Sequence, residues 1–532
     1  MLDYNNALKI IKKEELRGNN PVPDLLSFLH VDVLYGDELE SILNNYLENI
    51  IANQRNVKSL LKIDVPKSNF TIRPMARPPL KEWLIYEAII KFLSDNILSK
   101  HSDVCARSFS ILKFKEDIKR TTDPWLRFDR KTRNLYHEGY KYVVITDITG
   151  YYENINLDQL RNRLLDFINQ DPTSNDYVKA LFNMLRKWSS ERIKNFGLPQ
   201  GPPASSFLGD IFLDHVDRKM EKYEGYFRYM DDIKIFCKSE IEAKIALKDL
   251  IIALRELKLN INAKKTDILY GENIEKILFD PHNELMTFTD QILNSGELSL
   301  IEKLVVPSLQ KLFEESFTRD PFERRHLNFS LYRFDILYNS GIDFDQNKII
   351  DIIIQNIDKK PHHSSIFCNF LSNFINSKAL WNKLFSFLTS KKNIYEWQEL
   401  KILQCLLKSN VELSKSDKDI LFRICQDRNK HPIVSCFYIL LFGKHGTNRE
   451  RDLIIDMYHE ADIEYKKMAI ALAVQELGKA SRNEFYNRIK STDSGEIERF
   501  VDYIKSLKTP LYYLQVDKPK IETYKDFIDE GY

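Results

Sequence analysis

Two neighbouring carboxylates, Asp231 and Asp232, stand in the stretch Phe227–Phe236, whose other members are mostly apolar or aromatic. Such a pattern on both sides of a short break predicts a β-hairpin that is buried on one face, with the acid pair at its tip. Burying two adjacent carboxylates is costly unless a positive group neutralises them, and aspartate is depleted in strands. A divalent metal ion is the simplest neutralising group. The pair is therefore the first candidate for a catalytic metal site.

A third carboxylate, Asp147, follows the β-branched run Tyr142–Thr146, which predicts a strand that ends at the acid. Taken alone, Asp147 could be a cap at that strand end. Together with Asp231 it could hold two metal ions about 4 Å apart, an arrangement that stabilises both the attacking and the leaving oxygen of a displacement. Mg²⁺ prefers hard oxygen ligands, and Mn²⁺ is the alternative ion. We predict Asp147 and Asp231 as direct ligands and Asp232 as a second ligand or electrostatic support. The backbone carbonyl of Ile148 is predicted to add an oxygen.

Two loops complete the candidate site. The segment Pro199–Gly201 joins a residue of fixed φ to a flexible one, which would let the backbone approach a nucleotide closely. Reverse transcriptase palms, which this part of the sequence resembles, carry a Pro-Gln-Gly loop and a lysine-bearing turn in these places. The resemblance implies that Gln200 contacts the incoming nucleotide or the templating base, although an ordinary turn before a helix is the alternative. It also implies that Lys265, in the turn Leu259–Asp267, could protonate or stabilise the leaving pyrophosphate. A surface lysine is the alternative interpretation there.

In chain order, the features are a carboxylate strand, a Pro-Gln-Gly loop, a Tyr-Met-Asp-Asp turn and a lysine-bearing turn. This order resembles motifs A to D of the reverse transcriptase palm, over about residues 70–275. The resemblance implies two-metal DNA synthesis on an antiparallel palm sheet flanked by helices. It also places Tyr152, five residues after Asp147, where an aromatic ring excludes a ribose 2′-hydroxyl, so dNTPs are the predicted substrates. The alternative for Tyr152 is a core aromatic ring.

The segment Ile72–Trp83 and the apolar helix after it resemble the first reverse transcriptase motifs, which belong to the fingers. Arg73, Arg77 and Arg107 are candidates for binding triphosphate or backbone phosphates, because guanidinium groups pair well with phosphate. Each could equally be a solvated arginine. The stretch Cys105–Phe109 departs from the family's Gly-Phe-Arg pattern.

The composition limits the class of protein. The 532 residues, 43% of them hydrophobic, can fill the cores of two or three domains. A net charge of only +1 indicates a limited nucleic-acid footprint, or one that is internal to an assembly. Six cysteines without a Cys-x-x-Cys pair predict reduced thiols, no zinc site and a cytoplasmic protein. We see no signal peptide and no run that approaches a membrane span, so no membrane partner is predicted.

From Leu298 to Phe527 the chain reads as amphipathic helices of about a dozen residues, separated by short polar or Gly/Pro turns. Their spacing predicts two-helix units near the 34–45 residues of helical solenoids, although no repeat consensus is visible. An irregular bundle that enlarges the thumb is the alternative. The predicted fold class is α+β, a fingers and palm unit followed by an all-α, HEAT-like repeat domain. The predicted divisions are an N-terminal helical segment, the fingers and palm, and the repeats, at residues 1–70, 71–275 and 290–532.

A palm of this kind followed by helical repeats resembles the abortive-infection and related unknown-group reverse transcriptases of prokaryotic defence. The resemblance implies anti-phage activity, template-independent synthesis of single-stranded DNA, and assembly as trimers or hexamers. It also implies priming from a tyrosine hydroxyl, which leaves the DNA covalently attached. A Tyr-Met-Asp-Asp turn also occurs in templated enzymes, so an RNA-templated reverse transcriptase using a dedicated noncoding RNA or retroelement transcript is one alternative. A helical scaffold with an inactive palm is another.

A priming tyrosine must be mobile enough to reach the carboxylates. Tyr4 is the first choice, because it precedes the first predicted helix and similar enzymes place a primer tyrosine in the N-terminal region. An ordinary packed or surface tyrosine remains the alternative for every candidate. The full set of candidates near exposed termini is Tyr4, Tyr35, Tyr46, Tyr524 and Tyr532.

Overall fold

The first strands form a two-stranded antiparallel hairpin, β1 (Leu61–Pro66) and β2 (Ile72–Arg77). It begins before residue 71, where the sequence predicts the fingers to start. This computed structural model describes residues 2–524 except 17–20, 26–30, 53–56, 116–122, 169–170, 190–193, 319–321, 494, 513–517 and 519.

Strands β3 (Tyr142–Thr146), β4 (Gly225–Tyr229), β5 (Asp232–Cys237) and β6 (Asp267–Tyr270) form an antiparallel sheet in the order β4-β5-β3-β6. Their β-branched and aromatic residues favour strands, as the sequence predicts. Thr146 pairs with Ile233, and Tyr229 pairs with Asp232. This register places the end of β3 beside the β4–β5 turn, so the predicted antiparallel palm sheet is confirmed.

Helices cover this sheet and build the N-terminal part of the chain. The apolar α4 (Leu80–Lys100) is mostly buried, and it packs against α1, α3, α9 and α10. The remaining helices of this half are α1 (Tyr4–Leu16), α2 (Val31–Tyr35), α3 (Leu39–Ala52), α5 (Leu112–Lys115), α6 (Pro124–His137), α7 (Tyr151–Asn154), α8 (Leu157–Phe167), α9 (Pro172–Trp188), α10 (Pro203–Met220) and α11 (Glu240–Glu256), with a 3-10 turn at Gly36–Glu38.

After β6 the described chain is helical. A π-helical turn spans Ile301–Val305, and 3-10 turns span Pro361–His363 and Ile521–Thr523. The helices are α12 (Glu272–Leu278), α13 (Asn283–Ser295), α14 (Leu298–Leu300), α15 (Val306–Ser316), α16 (Glu323–Asn339), α17 (Gln346–Asn356), α18 (Ser364–Leu371), α19 (Lys378–Leu388), α20 (Glu396–Leu407), α21 (Lys415–Cys425), α22 (Pro432–His445), α23 (Asn448–Asp456), α24 (Glu464–Ala473), α25 (Lys479–Thr492) and α26 (Glu496–Ser506).

These helices are stacked in a regular way. Along the row α16, α18, α20, α22, α24 and α26, each helix packs on the next, while α19, α21, α23 and α25 lie against the row. At Gly443 a Cβ would collide with the backbone of Ala473, so the close approach of α22 to α24 requires glycine. The two-layer stacking fits the predicted solenoid, whereas assignment to the HEAT-like type stays a prediction.

The end of the helical stack returns to the N-terminal segment. Arg499 of α26 donates to the carbonyl of Leu34 at 2.9 Å, and the hydroxyl of Tyr35 donates to Glu496 at 3.0 Å. Lys58 Nζ lies 3.1 Å from Glu496. Near the middle of the stack, α20 packs on β1. The helical half therefore runs from the palm around to the hairpin and the N-terminal helices. Among the described helices, none combines the length and apolar character needed to span a bilayer.

Candidate active site

The Asp231–Asp232 turn is fixed by contacts on both sides of Met230, whose φ of 54° is left-handed. The amide of Met230 donates to Ser110 Oγ at 3.0 Å, and its carbonyl accepts from Arg228 Nη1 at 3.1 Å. A left-handed backbone costs free energy in a non-glycine residue, so these bonds are needed to hold the turn.

Arg228 is fully buried, and its charge is balanced by two aspartates of α10. Its guanidinium lies 2.7 Å from Asp210 and 2.8 Å from Asp217. Ser108 and Ser110 also donate to Asp210, each at 2.8 Å. This network was not predicted from the sequence. Asp210, Asp214 and Asp217 in an otherwise apolar helix were the available signal, because buried carboxylates require partners.

Asp147 lies at the end of β3, in the cavity that Asp231 also lines. Its Oδ2 is 2.5 Å from Lys265 Nζ, whereas its buried Oδ1 has no hydrogen-bond partner among the described residues. Burial, then the charges of Asp232 and Asp147, raise the pKa of Asp231 to about 6. Burial likewise raises the pKa of Asp232, with Lys265 opposing it. Three carboxylates thus converge in one partly buried place, where Lys265, Lys234 and Arg73 offset burial and mutual repulsion only in part.

The donor set fits hard divalent cations. The unpartnered Oδ1 of Asp147 and the raised pKa of Asp231 are what a carboxylate site shows when its cation is left out. Ile148 and Ile261 form an antiparallel bridge whose hydrogen bonds are made by their neighbours in the chain. The amide of Asn262 donates to the carbonyl of Asp147, and the amide of Thr149 donates to the carbonyl of Asn260. The carbonyl of Ile148 is therefore not used in the bridge. Asp147, Asp231, Asp232 and the Ile148 carbonyl are therefore the groups that would hold the metal ions.

Tyr152 and Gln200 line the same cavity as the carboxylates. The ring of Tyr152 is half-buried and packs edge-on against Tyr151, with the ring centroids 5.6 Å apart. The Gln200 carbonyl accepts from the amide of Ala76 at 2.8 Å. At Gly201, with φ 139°, a Cβ would lie 2.6 Å from the Ala76 carbonyl oxygen, so glycine permits the loop to approach β2. The loop and the hairpin are thereby joined beside the metal-binding groups.

The three predicted arginines lie in different places. Arg73 of β2 lines the cavity, where its charge acts on Asp231 and Asp232. Arg77 is buried instead, with its guanidinium 3.1 Å from Glu15 and 3.0 Å from Asp24. The structure therefore does not bring Arg77 to the cavity, because the N-terminal acids bind its charge. Arg107 also lies elsewhere and donates to backbone carbonyls at Glu221 and Glu224.

The predicted priming tyrosine is not at the site. Tyr4 is buried in the core of the N-terminal helices, and its hydroxyl donates to Asn44 at 2.9 Å. Burial also raises its pKa. Tyr35 donates to Glu496, and Tyr46 donates to Glu82. Each of these three hydroxyls therefore has a partner elsewhere in the fold, and none of them lines the cavity. Tyr524 is buried at the cavity wall with its hydroxyl on Asp290, while Tyr532 lies outside the described residues.

A cavity of about 1830 Å³ lies between the palm, the β1–β2 hairpin and the inner row of the helical half. The helical half provides basic and aromatic side chains to its wall, a mixture that suits phosphates and bases. Those side chains are Arg324, Arg325, Phe329, Tyr332, Arg333, Trp397, Lys401, Lys408, Phe437 and Lys518. These side chains could not be predicted from the sequence, because no local pattern indicates which helix faces turn towards the palm.

The reverse transcriptase (RNA-dependent DNA polymerase) family model matches residues 65–291. A curated relative, "Putative COX1/OXI3 intron 2 protein" of Saccharomyces cerevisiae, is 21% identical over 196 residues, which are 35% of this chain and 21% of the yeast protein. The chain thus spans about a fifth of that protein's length.

Among solved structures, apo telomerase from Candida tropicalis is similar with a TM-score of 0.32 and 14% identity, over 67% of this chain and 72% of that one. Telomerase from Candida albicans, in complex with a TWJ fragment of telomeric RNA, gives 0.33 and 10%, over 75% and 70%. The matched segment contains β2 to β6 and the three carboxylates. Residues 65–291 therefore match a reverse transcriptase domain.

Proposed function

We propose that this chain is a metal-dependent DNA polymerase that joins deoxynucleoside triphosphates at Asp147, Asp231 and Asp232. The observation that carries the proposal is the convergence of three carboxylates whose burial and mutual repulsion are offset only in part, including the unpartnered Oδ1 of Asp147. Bound Mg²⁺ or Mn²⁺ would activate the attacking hydroxyl and stabilise charge on the leaving oxygen. Asp147 and Asp231 would hold the ions, and Asp232 and the Ile148 carbonyl would complete the oxygen set.

Other residues around the cavity would orient the nucleotide. Gln200 would contact the base or sugar, and Arg73 would bind phosphate. The ring of Tyr152 would exclude a 2′-hydroxyl, which favours dNTPs over NTPs. Lys265 would leave Asp147 once metal binds, and it would then donate a proton to the pyrophosphate or stabilise its charge. Because its guanidinium is held by Glu15 and Asp24, Arg77 is not among the residues proposed to bind phosphate.

We further propose that synthesis is untemplated and produces single-stranded DNA in anti-phage defence. The support is the position of the helical half, which packs on the hairpin through α20 and encloses the cavity from the side opposite the palm. An extended template-primer duplex needs an open groove, whereas one strand needs only a lined channel. The net charge of +1 agrees with a small nucleic-acid footprint. Assembly as a trimer or hexamer remains a prediction.

Protein priming is part of this proposal. A tyrosine oxygen would bond to the α-phosphorus, the bond to the β-phosphate would break, and pyrophosphate would leave while the phenolic proton passes to water. Tyr4 is not supported as the primer because its hydroxyl is buried on Asn44. Of the four described candidates, Tyr524 alone borders the cavity. Peptide mapping of nucleotide-linked protein would identify the residue used.

The test is incorporation of each labelled dNTP by purified protein without added nucleic acid, with Asp231→Asn as the matched inactive variant. Label that stays attached to denatured wild-type protein, and is absent from the variant, supports protein-primed and untemplated synthesis. Label found only in free DNA would refute protein priming. Incorporation that requires added RNA would refute the untemplated function.

RNA-templated synthesis is the second candidate. It is favoured by the matched family's description as RNA-dependent DNA polymerase and by the relative named as an intron protein. A dedicated RNA that copurifies and is required for incorporation would establish it. A scaffold with an inactive palm is disfavoured, because the carboxylates and Lys265 are present together. No incorporation under any of these conditions would instead support the scaffold.

A further inference from the structure

Arg324, in the first turn of α16, lines the same cavity as Arg73 and Asp231. Within the described part of the chain, neither Arg73 nor Arg324 has a recorded hydrogen-bond or ion-pair partner. The two arginines come from opposite walls, since Arg73 belongs to the hairpin and Arg324 to the helical half. Guanidinium groups in such places are retained most readily when an anion pairs with them.

The carboxylate beside Arg324 already has other partners. Glu323 accepts from Lys360 Nζ at 2.7 Å and lies 3.1 Å from His363 Nε2. The neighbouring Arg325 differs, because it lies 3.3 Å from Asp280 and donates to Asn283 at 2.8 Å. Arg324 is therefore the arginine of this turn whose charge stays available to a ligand.

Electrostatics around Arg324 point to an anion. Burial, and then the charge of Arg73, lower the pKa of Arg324. The pKa of His362 is lowered to about 4, first by burial and further by neighbours that include Arg324. Arg73 acts in turn on the carboxylates of Asp231 and Asp232. Arg73 thus interacts electrostatically with the metal-binding carboxylates as well as with Arg324.

A triphosphate matches this order. Its α-phosphate must lie at the carboxylate-bound metal ions for reaction, so its outer phosphates extend away from them, first past Arg73. We propose that Arg324 binds the outer phosphates of the incoming dNTP, so that the helical half supplies part of the nucleotide site. This inference rests on the proposed polymerase function and adds a positioning residue from outside the matched segment 65–291.

A metal ion is the competing occupant near this turn, because ligand atoms of Glu323, His362 and His363 lie within 4.8 Å of one another. However, Lys360 Nζ lies 2.7 Å from Glu323 Oε1, the oxygen that a metal would use. Two further cations, Arg324 and Arg73, face the same space. Because one carboxylate is surrounded by several cations, this part of the wall favours an anion over a metal ion.

The test compares wild type with Arg324→Ala and Arg324→Lys, by calorimetric dissociation constants for dATP, dAMP and tripolyphosphate with Mg²⁺. We expect Arg324→Ala to weaken the binding of dATP and tripolyphosphate by about 10- to 100-fold, the range for one charged hydrogen-bonded contact. The dissociation constant for dAMP should not change. Arg324→Lys should recover part of the loss, because it keeps the charge without the forked geometry. Arg428→Ala, at an arginine outside the cavity that pairs with Glu460, is the control and should change these constants little.

Equal thermal midpoints for wild type and Arg324→Ala would exclude misfolding as the cause of weaker binding. If wild type incorporates dNTPs but Arg324→Ala leaves the dissociation constants for dATP and tripolyphosphate unchanged, the phosphate contact would be refuted and the polymerase function would not. A loss confined to binding of a single-stranded oligonucleotide would also refute it, because Arg324 would then be a strand contact. Tripolyphosphate binding through Arg324 without any incorporation would refute the polymerase and support the phosphate site.

Discussion

Lys265 Nζ lies 2.5 Å from Oδ2 of Asp147, although the side chain of Lys265 is 66% exposed and that of Asp147 only 12%. An exposed lysine loses side-chain entropy when it is held in one place, so the attraction must come from the carboxylates it faces. In metal-free protein the ammonium group therefore occupies space that a metal ion would need. Metal binding and the position of Lys265 are linked.

We predict that Lys265→Met lowers kcat by about 10²-fold, the usual contribution of one proton donor. It should also lower the Mg²⁺ concentration required for half-maximal rate, because no ammonium group competes for Asp147. Steady-state incorporation across a Mg²⁺ titration measures both effects. Lys264→Met, at an exposed neighbouring lysine, is the control. If both variants had the same effects, the loss would follow from removing one positive charge near the site and not from the position of Lys265.

Asp231→Asn should abolish incorporation, with a fall of at least about 10³-fold, because one charged metal ligand is lost. Without metal, the thermal midpoint should stay equal or rise, since burial and the charges of Asp232 and Asp147 already raise the pKa of Asp231 to about 6. Mg²⁺ should raise the midpoint of wild type and not that of the variant. A variant that keeps its activity would remove Asp231 from the site.

The carboxylates could be predicted because strand periodicity, turn and acid are local in the sequence, and the antiparallel register then brings Asp147 beside Asp231. The positions of Arg77 and Tyr4 could not be predicted in this way. The partners of Arg77 are Glu15 and Asp24, more than fifty residues earlier in the chain. No local pattern distinguishes an arginine that binds phosphate from one held by a distant acid.

The helical half shows the same limit at a larger scale. Its helices could be predicted from amphipathic spacing, since the hydrophobic periodicity of a helix lies within its own stretch of sequence. The curvature that turns Arg324 and Trp397 towards the palm depends on packing between successive helices and on contacts such as Tyr35 with Glu496. Those contacts join residues hundreds of positions apart. The cavity wall is therefore a property of the assembled fold.

Tyr152→Ala should reduce discrimination against ribonucleotides by about 10- to 100-fold, because a side-chain clash with one extra group costs about 1–3 kcal/mol. Tyr152→Phe keeps the ring and should keep the discrimination, which makes it the matched control. The ratio of kcat/KM for dATP and ATP is the measurement. If Tyr152→Phe accepted ATP as readily as Tyr152→Ala does, the hydroxyl rather than the ring would be the discriminating group.

Arg228→Leu should destabilise the fold by about 3–5 kcal/mol, because it leaves Asp210 and Asp217 buried without their cation. The hydrogen bond from Arg228 to the Met230 carbonyl is lost as well, so activity should fall beyond the loss of folded protein. Urea unfolding and incorporation per folded molecule separate the effects. Arg428→Leu, at an ion pair with Glu460 that is exposed on both sides, should cost about 1 kcal/mol or less.

Glu87 should make stability depend on pH. Its carboxyl is buried in α4, where it accepts from Trp83 Nε1 at 3.0 Å and from the amide of Ala204 at 3.2 Å. Burial raises its pKa from 4.5 to about 7, and Glu14 adds a smaller increase. Between these values the unfolded chain releases a proton that the folded chain keeps. The contribution of Glu87 to stability is therefore complete below pH 4.5 and is lost as the pH rises to about 7.

Glu87→Gln cannot ionise, so it should gain stability relative to wild type over that window, by up to about 3 kcal/mol above pH 7. The free energy of unfolding in urea, measured for both proteins from pH 4.5 to above pH 7, gives the difference directly. Glu221→Gln, at an exposed glutamate, should show a flat difference. A flat difference for Glu87→Gln as well would mean that water reaches Glu87 and that its pKa is ordinary.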